Sequence, residues 1–269
     1  MEEKTFNTKK GAIHYWTSSV SNKRAWLLFL PGLTADHRLF EKQIEEFKDD
    51  FNLFVWDSPG HGSSRPFDLS FSLADKAEWL YSILDEEDIN KPVIIGQSMG
   101  GYVAQAFLEK YPDSLKGFIS IDSAPLKRKY MKNWEIRALK HTKWIYSSFP
   151  WALLKKYGSK GCAETEYGRL LMYAMMNNYT KKEYCELVSH GYKILAEAIE
   201  KDLAYDIICP ALLICGEKDK AGFTKRYNAA WADQSGLPIK WIPDAGHNSN
   251  TDQPELVNRI IRNFLETIL

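Results

Sequence analysis

Three side chains that can together activate a hydroxyl group stand far apart in this sequence. Ser98 lies in Gly-Gln-Ser-Met-Gly-Gly, directly between an apolar, strand-like run and a helix-like run. A carboxylate, Asp219, and an imidazole, His247, each follow a later apolar run. Serine alone is a poor nucleophile, but a histidine can accept its proton and a carboxylate can orient that histidine. These residues predict covalent catalysis through Ser98.

The residues around Ser98 favour a sharp turn from a strand into a helix. Gly96 and Gly100 stand two positions before and two positions after the serine, where the close approach of strand and helix leaves no room for a side chain. The strained turn would lift the serine hydroxyl above the sheet edge, and the helix N-terminus would direct N–H groups at a developing negative charge. The alternative is a tight connection that merely contains a serine.

Two other residues compete for the roles of acid and base. Asp122 follows the apolar run at residues 119–121 and could orient the histidine in place of Asp219. Asp219 is favoured because Gly-x-x-Asp after the later strand is the commoner pattern. His61 could be the base, but it precedes Ser98, whereas in folds that carry a catalytic serine on such a strand-to-helix turn the acid and base follow the nucleophile along the chain.

Short apolar runs that alternate with amphipathic stretches must position these residues. The predicted strands are residues 12–16, 26–30, 53–56, 92–96, 115–121, 211–215 and 239–242. The predicted helices include residues 72–84, with Ser72 as N-cap, and residues 99–109, 223–232 and 256–269. Such alternation predicts an α/β fold: a mostly parallel central sheet of about eight strands with helices on both faces, preceded by one early antiparallel strand.

The alternation stops between residues 124 and 205, a helical stretch rich in aromatic residues and methionines. We interpret residues 124–205 as an inserted helical cap, and residues 1–123 and 206–269 as the core. A helical stripe is formed by Tyr130, Trp134, Ala138, His141, Ile145 and Phe149. The expected substrate pocket includes Trp134, Met172 and Met176 from this stretch, and His37 from the core.

Composition narrows the classes of function. The chain has 269 residues with 35 basic and 35 acidic side chains, and this balance gives no sign of a nucleic-acid partner. Its four cysteines form no C-x-x-C pair, and neither zinc-protease nor phosphate-loop motifs occur, so we expect no metal and no cofactor. No apolar run is long enough to span a bilayer. We therefore expect a cytoplasmic protein, either a monomer or a homodimer.

From about residue 10 onward the sequence resembles a lidded alpha/beta-hydrolase. This resemblance implies that Ser98 is the nucleophile, Asp219 the acid and His247 the base. It also implies an oxyanion hole made by the backbone N–H groups of Leu33 and Met99. The family often has His-Gly where this chain has Pro-Gly at residues 31–32, but the donor is a backbone group and the role survives the change.

The resemblance implies a serine hydrolase that cleaves a carboxylic ester or lactone of a small to medium, largely apolar substrate through an acyl-enzyme. A carbon–carbon bond hydrolase of β-diketone-like substrates is an alternative with the same three residues. Such relatives often carry tryptophan after the base, whereas Asn248 follows His247 here. A hydrolase-fold ligand receptor with weak activity is a third hypothesis. Serine rather than aspartate at position 98 argues against epoxide opening and halide removal.

Overall fold

A single eight-stranded sheet forms the centre of the computed structural model, which describes residues 1–269. Its strands are β1 (Glu2–Thr8), β2 (Gly11–Ser18), β3 (Trp26–Leu30), β4 (Asn52–Trp56), β5 (Val93–Gln97), β6 (Gly117–Ile121), β7 (Ala211–Gly216) and β8 (Ile239–Ile242). They lie in the order β1-β2-β4-β3-β5-β6-β7-β8. Strand β2 pairs antiparallel with β1 and with β4, and all other neighbours are parallel. The prediction of a mostly parallel sheet is confirmed.

Helices cover both faces of the sheet because the central strands are apolar on both sides. Successive side chains of a strand point to opposite faces, so Leu28 and Leu30 of β3 belong to one apolar cluster and Leu27 and Phe29 to the other. The helices are α1 (Glu41–Phe47), α2 (Leu73–Glu86), α3 (Met99–Lys110), α4 (Asn133–Lys140), α5 (Lys143–Ser148), α6 (Trp151–Cys162), α7 (Glu166–Asn177), α8 (Lys181–Glu200), α9 (Thr224–Ser235), α10 (Ser249–Asp252) and α11 (Pro254–Ile268). Helices α2 and α3 pack on the first face, whereas α1 and α11 pack on the second.

Helix α2 shows how local sequence sets a boundary. The Ser72 side chain accepts a hydrogen bond from the backbone N–H of Asp75, and the Asp75 carboxylate accepts one from the backbone N–H of Ser72. This reciprocal capping box satisfies two N–H groups that have no partner inside the helix. The predicted N-cap at Ser72 is confirmed.

Five helices, α4 to α8, lie between β6 and β7 along the chain, in the stretch where the sequence lost its alternation. The helical stripe from Tyr130 to Phe149 is not one helix. Its chain leaves the α-helical path at His141, the C-cap of α4, and a new helix begins at Lys143. Helix α4 packs on α8, and so does α5.

Strand β1 is the element that the sequence pattern missed. Glu2 to Thr8 reads as Glu-Glu-Lys-Thr-Phe-Asn-Thr, with no apolar alternation, and its side chains are mostly exposed. The strand forms because it pairs along its whole length with β2, from Glu2 opposite Thr17 to Thr8 opposite Gly11. None of the helices combines the length and the apolar character needed to cross a membrane.

Candidate active site

Ser98 occupies the turn between β5 and α3 in a conformation that non-glycine residues rarely adopt. Its φ of 49° and ψ of −115° are held by the packing of strand against helix. A methyl group on Gly100 would overlap the carbonyl oxygen of Leu30, and one on Gly96 would lie 2.5 Å from the backbone nitrogen of Gly101. The close approach expected of Gly96 and Gly100 is therefore present.

The loops after β7 and β8 bring Asp219 and His247 to Ser98. The Nε2 atom of His247 lies 2.8 Å from the Ser98 hydroxyl oxygen, and its Nδ1 atom lies 2.9 Å from a carboxylate oxygen of Asp219. Residues separated by up to 149 positions meet because parallel strands end at the same edge of a sheet. With Nδ1 protonated toward Asp219, the Nε2 lone pair faces the serine hydroxyl and can accept its proton.

The surroundings of His247 favour its protonated form. Burial alone would lower the pKa of this imidazole, but the negative charge and hydrogen bond of Asp219 outweigh it, helped by the nearby charge of Asp122. The pKa of His247 is therefore raised from its ordinary value of 6.5. An imidazole stabilised as a cation in this way is well suited to hold a proton taken from a serine hydroxyl.

Asp122, the other carboxylate considered as the acid, accepts hydrogen bonds from two backbone N–H groups instead. One of its oxygens accepts a hydrogen bond of 2.7 Å from the backbone N–H of Gly216, and the other accepts one of 2.8 Å from that of Ser249. It makes no hydrogen bond to His247. Burial and the neighbouring charge of Asp219 raise the pKa of Asp122. Asp122 thus ties the end of β7 to the chain that follows the histidine.

The second oxygen of Asp219 is also engaged. It accepts a hydrogen bond of 2.7 Å from the backbone N–H of Ala221, which fixes the carboxylate in the loop after β7. His61 lies elsewhere: its side chain is buried, and Nδ1 is 3.0 Å from the carbonyl oxygen of Pro59. Of the two histidines considered as bases, only His247 contacts Ser98.

The two backbone groups expected to form an oxyanion hole border the serine. The N–H of Leu33 donates to no acceptor within the protein. Met99 is the first residue of α3, where helical N–H groups have no partner inside the helix. Both residues line the cavity that contains Ser98. These N–H groups are free to donate to an oxygen bound beside the serine.

A cavity of about 400 Å³ opens onto Ser98 and His247. Its walls come from helices α4, α5 and α8 on one side, and from α3, the Leu33 loop and the start of α9 on the other. Fourteen of its twenty lining residues are hydrophobic, no lysine or arginine lines it, and Glu135 is its one carboxylate. The cavity therefore suits an apolar ligand without negative charge.

Glu135 joins helix α4 to helix α9 at this cavity. Its carboxylate on α4 accepts hydrogen bonds from Arg226, at 2.5 Å, and from the Tyr227 hydroxyl, at 2.8 Å, both on α9. Burial opposes its ionisation, but these bonds and one from the backbone N–H of Lys132 outweigh burial and lower the pKa of Glu135. Glu135 was not among the site residues expected from the sequence, although it is the single acid in a long basic stretch.

Three of the four expected pocket residues do not line the cavity. Trp134 does, and its ring meets Phe223 edge to face with centroids 5.9 Å apart. Met172 and Met176 are instead buried in the core between helices and sheet. His37 bonds to Asp57, with Nδ1 2.9 Å from the carboxylate. Aromatic and methionine content could not distinguish packing residues from lining residues. Tyr146, Tyr192 and Phe223 line the cavity and were not anticipated.

Two groups of side chains place possible metal-ligand atoms within 4.8 Å of one another. They are Asp36, His37 and Asp57, and Asp122, Cys215 and Asp219. The carboxylates of both groups already accept hydrogen bonds or ion pairs within the protein. Burial also raises the pKa of the Cys215 thiol, which disfavours the thiolate that binds metals. In neither group are all the possible ligand atoms free to bind a metal ion.

Comparison with known proteins identifies the family. A family model described as the alpha/beta hydrolase fold matches residues 25–254. The chain belongs to the alpha/beta-hydrolase family. This alpha/beta-hydrolase is 24% identical to 3-oxoadipate enol-lactonase 1 of Acinetobacter baylyi, over 90% of this chain and 89% of the relative. It is 21% identical to 2-(acetamidomethylene)succinate hydrolase of Mesorhizobium japonicum, over 89% of this chain and 87% of the relative.

Solved structures agree on the fold of this alpha/beta-hydrolase. A thermophilic esterase from Thermogutta terrifontis superposes with a TM-score of 0.76 at 21% identity, covering 100% of this chain and 99% of the esterase. The enol-lactonase from Burkholderia xenovorans LB400 gives a TM-score of 0.74 at 20% identity, covering 98% of this chain and 100% of the lactonase. At these identities the likeness shows the shared fold alone.

Proposed function

We propose that this alpha/beta-hydrolase is a serine hydrolase that cleaves carboxylic esters, including lactones, of small to medium, largely apolar compounds. The observation that carries the proposal is the continuous hydrogen-bonded path from the Ser98 hydroxyl through His247 to Asp219. This order of nucleophile, base and acid is the arrangement that activates serine for attack on a carbonyl carbon. The lactonase, esterase and hydrolase names of its relatives agree with hydrolysis.

The reaction proceeds in two halves. The Ser98 oxygen attacks the ester carbonyl carbon while His247 Nε2 takes the hydroxyl proton, giving a tetrahedral intermediate with a negative oxygen. The intermediate collapses, the carbon–oxygen bond to the alcohol breaks, and His247 returns the proton to the departing alkoxide. Water then attacks the acyl-enzyme with His247 again as base, which releases the carboxylic acid and free Ser98. In a lactone, alcohol and acid leave as one molecule.

The N–H groups of Leu33 and Met99 would stabilise the negative oxygen formed in each half. The proposal is supported by their position at the cavity wall beside Ser98 and by the lack of a protein acceptor for the Leu33 N–H. Donors fixed in advance cost no reorganisation when the charge develops, and loss of one such donor typically lowers turnover about 10²–10³-fold.

Helices α4 to α8, within residues 124–205, would act as a cap that encloses the substrate. The cavity supports this, since its walls combine capping helices with the core residues around Ser98. The absence of lysine and arginine from those walls favours an uncharged substrate. Relatives named for oxoadipate and succinate act on carboxylates, whereas a carboxylate here would meet largely apolar walls without a basic partner, because Arg226 lies outside the lining and is already paired with Glu135.

A matched pair of chromogenic esters tests the proposal. We expect p-nitrophenyl butyrate to be hydrolysed and mono-p-nitrophenyl succinate, which has a similar length but a terminal carboxylate, to be hydrolysed at least about tenfold less efficiently. Ser98→Ala should lower turnover of the butyrate ester by about 10⁴–10⁶-fold. Tight binding of an ester without turnover would favour a ligand receptor instead, and no nitrophenol release from any ester would overturn the proposal.

A further inference from the structure

The charge of this chain is unevenly distributed. The whole protein is neutral, with 35 basic and 35 acidic side chains. Residues 136–163, however, contain no aspartate or glutamate, and their basic residues are Arg137, Lys140, Lys143, Lys155, Lys156 and Lys160. Of these, only Lys140 forms an ion pair, with Glu200. This part of the capping helices therefore carries a local excess of positive charge.

The same segment exposes large apolar side chains that the fold leaves uncovered. Trp144 on α5 is 70% exposed and Tyr157 on α6 is 60% exposed. Ile145, Phe149 and Leu153, which lie between them in the chain, are also exposed. Five such side chains within residues 144–157 form an unusual concentration, because a soluble surface normally scatters them singly.

Basic and apolar residues share one face of α6. Leu153, Lys156, Tyr157 and Lys160 follow the three- and four-residue spacing that places side chains on one side of a helix, and all four are exposed. Leu154 and Ser159, which do not belong to this set, are buried. Helix α5 is anchored likewise, since Tyr146 stacks on Tyr192 of α8 with ring centroids 6.3 Å apart. Both short helices thus hold one side inward and turn apolar and basic residues outward.

We propose that this outward side, the lysine–aromatic surface formed by Lys143, Trp144, Phe149, Leu153, Lys156, Tyr157 and Lys160, binds the surface of an anionic lipid bilayer. Its lysines would contact lipid phosphates while its tryptophan, phenylalanine and leucine enter the boundary between headgroups and acyl chains. The exposed aliphatic side chains distinguish the lysine–aromatic surface from a nucleic-acid-binding surface. Aromatic rings can stack on bases, whereas leucine and isoleucine side chains cannot.

Ile145 connects this surface to the catalytic cavity, because it is exposed and also lines the cavity wall. If the proposed ester hydrolysis holds, an apolar ester dissolved in the bilayer would enter the cavity past Ile145 and so reach Ser98. Bilayer binding itself depends only on the surface and can be measured without turnover. Failure of the esterase proposal would therefore leave the binding proposal intact, and the reverse is also true.

Sedimentation with sucrose-loaded vesicles tests the proposal directly. We expect the full chain to bind vesicles of phosphatidylcholine mixed with phosphatidylglycerol, and to bind vesicles of phosphatidylcholine alone much more weakly. The triple variant Lys143→Glu, Lys156→Glu, Lys160→Glu should bind the mixed vesicles at least about 100-fold more weakly, at roughly fivefold per lysine. A matched control, Lys23→Glu, Lys116→Glu, Lys240→Glu, changes three other exposed lysines and should bind like wild type.

A second pair of measurements separates insertion from charge attraction. The double variant Trp144→Ala, Phe149→Ala should lose binding that persists in wild type at high salt, and Trp144 fluorescence should shift to shorter wavelength when vesicles are added. Circular dichroism and hydrolysis of a water-soluble ester should be unchanged in both variants, since none of these residues lines the cavity. Wild-type binding to a single-stranded oligonucleotide but not to mixed vesicles would overturn the proposal, as would equal vesicle binding by wild type and both variants.

Discussion

The side-chain amide of Gln97 donates a hydrogen bond of 2.7 Å to the backbone carbonyl oxygen of His247. Gln97 immediately precedes Ser98 at the end of β5, so the residue beside the proposed nucleophile holds the loop that carries the proposed base. The same amide lies 3.2 Å from the side-chain oxygen of Asn248. Gln97 is buried, and water cannot replace these bonds. The link fixes the distance between serine and imidazole without taking part in proton transfer.

Gln97→Leu should lower kcat by roughly 10–100-fold with little change in KM. Leucine has similar size but no donor, so the histidine loop would lose its attachment, and small displacements of a reacting group are costly. Steady-state hydrolysis of p-nitrophenyl butyrate measures both constants. The variant should still react stoichiometrically with a fluorophosphonate, only more slowly.

Gln105→Leu is the matched control for that variant. Gln105 is also buried, and it bonds to the carbonyl oxygen of Ala124 and the N–H of Leu126, away from His247. Its loss should lower stability by about 1–3 kcal/mol while kcat is retained. Equal falls in kcat for the two variants would mean that Gln97 acts only through general stability.

The two buried carboxylates near His247 should respond differently to loss of charge. Asp219→Asn should lower kcat about 10³–10⁴-fold, because the amide cannot hold the imidazole in the required tautomer. Asp122→Asn should mainly reduce the melting temperature, since one of its bonds to Gly216 or Ser249 is lost. Kinetics and thermal unfolding of both variants measure the contrast. Inactivity of Asp122→Asn alone would make Asp122 the acid.

The dependence of kcat/KM on pH should report the ionisation of His247. Catalysis requires the neutral imidazole, so activity should rise as pH increases through its pKa. Because Asp219 raises that pKa, the midpoint should lie above 6.5 in wild type. Asp219→Asn removes the largest opposition to burial and leaves only the weaker effect of Asp122, so the midpoint of the residual activity should move to lower pH. A midpoint that is the same in both proteins would contradict this assignment.

The turn at Ser98 should tolerate no added side chain at Gly100. A methyl group there overlaps the carbonyl oxygen of Leu30, so Gly100→Ala should cost several kcal/mol of stability, at least about 3. Gly161→Ala is the control, since this glycine lies inside α6 with no atom within 4 Å of the added carbon. It should stabilise the protein by about 0.5–1 kcal/mol. Chemical denaturation of both variants measures the difference.

Much of the fold could be predicted because its central strands are buried on both faces. Continuous apolar runs such as Trp26–Leu30 leave no alternative to a covered parallel strand, and their boundaries were correct within about two residues. Strand β1 could not be predicted in this way. Its pairing with β2 supplies the hydrogen bonds, and its mostly exposed side chains leave no apolar pattern.

The positions of Ser98, Asp219 and His247 followed from local sequence, because each stands just past a strand of the sheet, and the strands before Ser98 and Asp219 are buried along their whole length. The residues that line the cavity could not be identified from local sequence in the same way. Met172 is buried and Trp134 is exposed at the cavity, although both looked alike as large apolar residues on helices. Which side of a helix faces a cavity depends on how α4, α5 and α8 pack together, and the break after Lys140 that sets this packing has no proline or glycine to reveal it.

Labelling with a fluorophosphonate, followed by intact-mass and peptide analysis, tests the central claim most directly. We expect one phosphonyl group per chain, attached to Ser98, with no labelling of Ser98→Ala and slow labelling of His247→Ala. Active wild-type protein that remains unlabelled, or carries its label on a residue other than Ser98, would contradict the account.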